Sequence, residues 1–330
     1  VPHVESLLVV TNPYADCSDE HLVQNAIDAL RAEADVHVCR ISMPGDLDGA
    51  LHRRGGRTVV VAGGDRSLHT VVAALHRRNE LDDALLAVLP IGASADFAHG
   101  AGIPVDPMAA AQVVLHGVER RFDLLVDCRG DVVVNSVRLG QCGRWHQVVG
   151  MLPLARHLGY PHGGGQEFGA PDGARASVLS KPLHVRIEAD DTVVTDFDRP
   201  VLQVAVNNSP SHGPDKSRST VPALSAPTFA PGADPADGLA DVVVCFAVDP
   251  LSRARRVLRR PHPIARDDLL TVRARRISVA GQRFWLNSDG HASGTEQRCT
   301  WKVAPKRLRM IVPATTPSES LASAASAARD

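Results

Sequence analysis

The most constraining feature of this chain is a short run, Thr58-Val59-Val60-Val61-Ala62, that passes directly into Gly63-Gly64-Asp65. A run that is apolar at consecutive positions suits a strand covered on both faces, as in the middle of a parallel sheet. The pattern recurs. Leu7–Val10 stops at Thr11-Asn12-Pro13, Val36–Ile41 reads as another strand, and Leu85–Leu89 stops at Pro90-Ile91-Gly92. Helical spacing fills the gaps: Leu22, Val23, Ala26, Ile27 and Leu30 follow a capping Ser18, and Leu68, Val71, Val72 and Leu75 follow Asp65. Repeated strand–turn–helix units predict a parallel α/β sheet with right-handed crossovers. Such sheets bind ligands at the carboxyl ends of their strands, where the glycines of this chain cluster.

The character changes near Arg120. Phe122–Asp127 and Val132–Leu139 flank Arg129-Gly130-Asp131 and read as a hairpin. Short strands follow at Leu183–Glu188, Val201–Asn207, Leu239–Val248, Leu269–Val279, Arg283–Leu286 and Leu308–Val312. This half is expected to be an antiparallel β-domain. Pro161–Asp172 and Ser209–Asp237 read as long loops, and residues 314–330 as a disordered, Ala/Ser-rich tail.

Composition narrows the function classes. The 330 residues carry a formal net charge of −1, which argues against nucleic acid as the main partner. There is no apolar stretch long enough to span a bilayer as a helix. Six scattered cysteines form no C-x-x-C pair, so neither structural zinc nor a disulfide framework is expected. With no leader pattern at the start, reduced thiols and a cytoplasmic location are the expectation. His162-Gly163-Gly164-Gly165 has the look of an esterase oxyanion loop, but no G-x-S-x-G accompanies it. Leu251–Arg260 is a basic, helix-like stretch that reads either as a solvated face or as a contact with an anionic membrane surface. Trp145 reads as core or as the wall of a lipid pocket.

Four segments could carry chemistry. In Gly63-Gly64-Asp65 the glycines let backbone N–H groups approach phosphate, and the helix that follows adds its positive end. Asp65 could hold Mg²⁺ or accept a proton, while the alternative is a plain β–α turn. Pro90 to Ala98 places Asp96 near a helix start, where it is either a site residue or a cap. Asn12-Pro13 ends the first strand. Asn287-Ser288-Asp289-Gly290-His291 is either a hairpin turn or a site segment.

Together and in this order, these segments resemble the diacylglycerol kinase catalytic family, which includes bacterial lipid kinases and sphingosine kinases. Asn12-Pro13 matches the family's opening Asn-Pro, and Gly63-Gly64-Asp65-Arg66-Ser67 matches its Gly-Gly-Asp-Gly-Thr in part. Pro90-Ile91-Gly92-Ala93-Ser94-Ala95-Asp96-Phe97-Ala98 is similar to its Pro-x-Gly-Thr-Gly-Asn-Asp-Phe-Ala. Gly102-Ile103-Pro104 and Ala236-Asp237-Gly238-Leu239 also resemble family segments, and Asp289-Gly290-His291 stands where Asp-Gly-Glu is usual. The resemblance runs from Leu7 to Pro313. It implies an α/β nucleotide-binding domain over residues 1–121, a β-sandwich lipid domain over 122–304, and a final strand, 305–313, returning to the first domain. Peripheral membrane contact is the expectation that rests on Leu251–Arg260; the resemblance also implies ATP and Mg²⁺ in the cleft, a lipid hydroxyl as acceptor and a homodimer. On that basis Asp65, Asp289 and His291 are the catalytic candidates. Asn12, Gly63, Gly64, Arg66, Ser67, Gly92, Ser94 and Asp96 are the nucleotide-binding candidates. Asp237 and the carbonyl of Leu239 are candidates for a structural Mg²⁺.

The departures from the family pattern fall on the chemistry. Arg66 replaces a glycine: its side chain either blocks close approach of phosphate or binds the phosphate itself. Ala93-Ser94-Ala95 removes a hydroxyl and an amide, His291 replaces a carboxylate, and the Asn207-Asn208-Ser209 region lacks the family's glycine cluster. Two functions follow. One is ATP·Mg²⁺-dependent phosphoryl transfer to a diacylglycerol-like lipid. The other keeps the fold, loses kinase activity and uses the cleft to bind or convert a different hydrophobic molecule.

Overall fold

The computed structural model describes residues 5–12, 20–43, 45–91, 95–140, 182–210, 230, 232–247 and 268–314. Four parallel strands form the first half: β1 (Ser6–Thr11), β2 (Asp35–Arg40), β3 (Thr58–Gly63) and β4 (Leu85–Pro90), in the order β4-β3-β1-β2. All six residues of β3 are buried, as its composition requires. Around the sheet lie α1 (Glu20–Arg31), α2 (Asp46–His52), α3 (Asp65–Arg77), α4 (Asp96–Gly100) and α5 (Pro107–His116). The start of α5 follows from local chemistry: Asp106 accepts the Ala109 N–H at 2.8 Å and Pro107 opens the helix. Leu7, Val9, Val60, Leu75, Leu86 and Phe97 belong to the core of this half.

The second half is antiparallel. It comprises β5 (Val118–Asp127), β6 (Val132–Val133), β7 (Ser136–Gly140), β8 (Val185–Ala189), β9 (Thr192–Asp196), β10 (Val201–Asn207), β11 (Ala240–Phe246), β12 (Leu269–Ala274), β13 (Arg276–Ser288) and β14 (His291–Val312). A separate core gathers Val137, Val204, Val242, Ile277, Phe284 and Trp301. The 22-residue β14 pairs with β13 and β5, then lies parallel to β4 through Arg309↔Leu85 and Met310↔Leu86. The expected return of the last strand is therefore present, as the end of a much longer element.

Three strand expectations change. Val132–Leu139 is broken at Val134 and Asn135, because their N–H groups, with that of Ser136, turn to the carboxylate of Asp289. Leu269–Val279 is broken at Arg275, where Asp190 accepts the N–H groups of Arg275 and Arg276 at 2.9 Å each. Arg283–Leu286 is not separate but the end of β13. Ser18, Trp145, His162–Gly165, Pro161–Asp172 and Leu251–Arg260 lie outside the described residues, as does most of Ser209–Asp237 and of the tail. Among the described residues no helix is long and apolar enough to cross a membrane.

Candidate active site

The parallel register brings three of the motifs to one edge. Thr11 pairs with Ala62, and Gly63 with Pro90, so Asn12, Gly63-Gly64 and the residues after Pro90 leave the sheet side by side. Gly63 is required by close packing: a Cβ there would lie 2.5 Å from Ser67 Oγ and 2.7 Å from Ser67 Cβ. Gly64 precedes α3, whose first residues are Asp65, Arg66 and Ser67. The N-terminus of that helix thus opens at the carboxyl edge of the sheet, where an anion is favoured.

Asp65 is buried and organises the next motif. Its Oδ2 accepts the Asp96 N–H at 2.9 Å and its Oδ1 the Phe97 N–H at 3.1 Å. Asp65 therefore caps α4 from a different helix, satisfying donors that Ala95 cannot. Gly92 and Ser94 lie outside the described residues.

The distant Asp289-Gly290 segment folds onto α3. It is the two-residue loop between β13 and β14, with Ser288 paired to His291 and φ of 49° at Asp289 and 82° at Gly290. Positive φ at both positions is the geometry of a tight hairpin of the I′ kind. The hairpin reading of this segment is realised, and the turn packs against the first turn of α3. A Cβ on Gly290 would meet Arg66 Cγ at 3.0 Å, so the stem of Arg66 packs where only glycine leaves room.

Asp289 has a fully buried side chain whose carboxylate is saturated. Oδ1 accepts the N–H groups of Asn135 (2.8 Å) and Ser136 (2.9 Å). Oδ2 accepts the N–H of Val134 (2.7 Å) and faces Nδ1 of His69 at 2.9 Å. The ring of His69 stacks on that of His291, with centroids 4.8 Å apart and a 34° tilt. His291 Nε2 lies 3.3 Å from the carbonyl oxygen of Arg66. Burial, reinforced by the neighbouring His69, pushes the His291 imidazole below its ordinary pKa and favours its neutral form. Arg66 and His291, two of the departures noted in the sequence, are thus in contact with each other.

Several residues here carry no sequence signal. His69 looks like an ordinary helix residue until Asp289 arrives. Asn208 is buried and donates Nδ2 to the carbonyls of Asp123 (2.9 Å) and Val134 (2.8 Å). Asp123, fully buried, accepts the N–H groups of Gly238 and Lys306. Through the side chains of Asn208 and Asp123, these bonds connect the backbone of the Asp237 segment to that of the bend held by Asp289.

Whether these residues fit a resident divalent ion follows from their partners. Asp237 Oδ1 accepts the Leu239 N–H, and Oδ2 pairs with the Arg273 guanidinium. Arg273 also lies 3.5 Å from Asp241, so a cation from the chain itself already serves this acidic pocket. Asp289 is fully occupied, and position 291 offers an imidazole. Among the described residues there is no group of three His, Cys, Asp or Glu side chains that could hold a metal ion. The donor sets at both places do not fit a resident Mg²⁺.

Residues 6–126 match the diacylglycerol kinase catalytic domain. A protein of Stenotrophomonas maltophilia (strain K279a) called "Probable lipid kinase YegS-like" is 43% identical over 79 residues, which are 23% of this chain and 26% of that one. A protein of the same name from Chromohalobacter salexigens is 30% identical over 142 residues, 42% of this chain and 45% of that one. The chain therefore spans about a quarter of the first relative and under half of the second. The crystal structure of a diacylglycerol kinase from Bacillus anthracis str. Sterne superimposes with a TM-score of 0.63 at 18% identity, covering 96% of this chain and 99% of that one. A second structure from the same organism gives a TM-score of 0.70 at 19% identity, with 96% and 100% coverage. At that identity the likeness shows the fold.

Proposed function

We propose, with residues 6–126 belonging to the diacylglycerol kinase catalytic domain family as the premise, that the chain moves the γ-phosphoryl group of ATP to the hydroxyl of a diacylglycerol-like lipid. The observation that carries this is the convergence of Asn12, Gly63-Gly64, the first turn of α3 and the start of α4 at one sheet edge. Backbone N–H groups and a helix N-terminus there would hold the nucleotide phosphates. Asn12, Gly63, Gly64, Ser67 and Asp96 would line that cradle, and the guanidinium of Arg66 would add positive charge. Asp65 would fix α4 beside the phosphates through its two backbone bonds. Mg²⁺ would enter as part of the substrate ATP·Mg²⁺, and Arg273 would stand at Asp237 where the family segment suggests a structural ion.

In this reading the chain acts by positioning and charge stabilisation, which is most of what phosphoryl transfer requires. The lipid hydroxyl would approach from the second half, beside the Asp289–His291 turn. Peripheral contact with a membrane would give access to such a lipid.

One observation favours the second reading, a protein that has lost kinase activity and binds or converts another hydrophobic molecule. The carboxylate of Asp289 is saturated and His291 stands in place of a carboxylate, so the edge carries little negative charge for a metal ion. Transfer of labelled γ-phosphate from ATP·Mg²⁺ to a panel of lipid alcohols separates the two. The kinase reading expects transfer that is lost in Asp65→Asn, with the variant's fold checked by its thermal midpoint. No transfer to any lipid, together with no ATP binding, would leave the second reading.

A further inference from the structure

The pairing of His69 with Asp289 is a chemical device distinct from any metal site. A neutral imidazole carries one N–H, and the partner of one ring nitrogen decides which nitrogen keeps the proton. Here Nδ1 faces Asp289 Oδ2 at 2.9 Å. The carboxylate cannot turn away, since three backbone N–H groups at 2.7–2.9 Å hold its two oxygens. It must therefore accept from Nδ1–H, and in the neutral form of the ring the lone pair is then on Nε2. His69 Nε2 has no hydrogen-bond partner among the described residues, and the side chain keeps 17% of its surface exposed. The ring is held in plane by its neighbour, His291, whose own Nε2 is engaged with the Arg66 carbonyl. Asp65 and Arg66 lie four and three residues earlier on the same helix, so the ring sits one turn below the proposed phosphate cradle.

We propose that His69 is the proton acceptor of this site, with Asp289 as the residue that positions it. The inference rests on the phosphoryl-transfer reading for its substrate. In the step, the lipid hydroxyl oxygen forms a bond to the γ-phosphorus while its proton passes to Nε2 of His69. The bond from the γ-phosphorus to the β,γ-bridging oxygen breaks, and ADP leaves with that electron pair. The resulting imidazolium is stabilised by the Asp289 carboxylate and later returns the proton to water. A neutral His291 adds no repulsion against that imidazolium, as its buried, proton-poor state requires. The role differs from that of a metal-organising carboxylate, because Asp289 touches the reaction only through the imidazole.

Two measurements test this. The first is ¹⁵N NMR of histidine-labelled protein, with the His69 signals assigned through His69→Gln. The expected result is the Nδ1–H tautomer in the wild-type chain, giving way to a mixture of tautomers in Asp289→Asn. An Nε2–H tautomer in the wild type would overturn the proposal, whatever the activity. The second is steady-state kinetics with ATP and a lipid alcohol. His69→Gln is expected to lower kcat by about 10²–10⁴-fold, with the KM for ATP held within about threefold. Added imidazole should restore part of the rate to His69→Gly. An unchanged kcat in His69→Gln would overturn the proposal even with the expected tautomer. Absence of transfer by the wild-type chain speaks against the kinase reading alone. The tautomer then decides whether the dyad exists.

Discussion

The carboxylate of Asp289 lies 2.9 Å from Nδ1 of His69 across 220 positions of sequence, and the same carboxylate gathers three consecutive backbone N–H groups of the β6–β7 bend. One buried group thus ends a strand, fixes a turn and orients an imidazole on a helix of the other half.

Replacing Asp289 by asparagine is expected to destabilise the fold by about 1–3 kcal/mol, because the new amide puts a donor against buried N–H donors. The loss should appear as a lower urea midpoint with an unchanged m-value. A midpoint equal to that of the wild type would mean that the bend does not depend on this carboxylate.

The His291 imidazole predicts a pH dependence of stability. Its folded pKa lies below the ordinary value of 6.5, chiefly through burial, with the neighbouring His69 adding to the effect and the hydrogen bond to the Arg66 carbonyl and the Asp289 carboxylate opposing it. The unfolded chain therefore takes up this proton first as the pH falls. The stability that the neutral ring contributes is complete above about pH 6.5 and is lost as the pH drops toward the folded pKa. Urea unfolding between about pH 5 and 7 should show a shallower slope in His291→Gln than in the wild type. Identical slopes would remove the effect.

Gly63→Ala should be costly for steric reasons alone, since its Cβ would fall 2.5 Å from Ser67 Oγ. A destabilisation of about 1–3 kcal/mol is expected. Removing the obstructing side chain in the double variant Gly63→Ala/Ser67→Gly should recover part of it, as measured by calorimetry. Additive losses would show that the clash is not the cause.

Cys299 is buried against Cys128, Sγ to Sγ 3.7 Å, and burial pushes its thiol up to about 12. At neutral pH it holds its proton and should resist alkylation. Cys128 is exposed and should react with iodoacetamide first, as peptide mass spectrometry would show. Equal rates at the two positions would contradict this.

The parts legible in the sequence are those in which local chemistry decides. β1, β3 and β4 announce themselves because strands buried on both faces must be apolar at every position, and each ends at residues that break a strand. Asp289-Gly290 is legible as a turn because both residues tolerate positive φ. The parts that stayed hidden depend on distant partners. The break between β6 and β7 is made by a carboxylate more than 150 residues away. His69 has no local mark of function, since its partner arrives from β13–β14. The length of β14 is masked by Gly294 and Pro305, which read as breakers within what is a continuous strand. The helix α2 carries an internal Gly49 and only seven residues, too few for a periodic signal. The metal reading of Asp237 rested on its neighbours in sequence, whereas its partner is Arg273 on another strand.

The long strand β14 also has a mechanical meaning. It pairs with β13 and β5 in one half and with β5 and β4 in the other, so the two halves share a backbone rod instead of hanging on a flexible tether. The ladder with β5 slips between Ala304 and Leu308, and Lys306 there takes φ of 58°. The buried carboxylate of Asp123 accepts the Lys306 N–H at 2.8 Å, so the slip is held in place from β5. Any rotation of one half against the other would therefore have to twist β14 along its own length, where a hinge in a loop would cost no strand pairing.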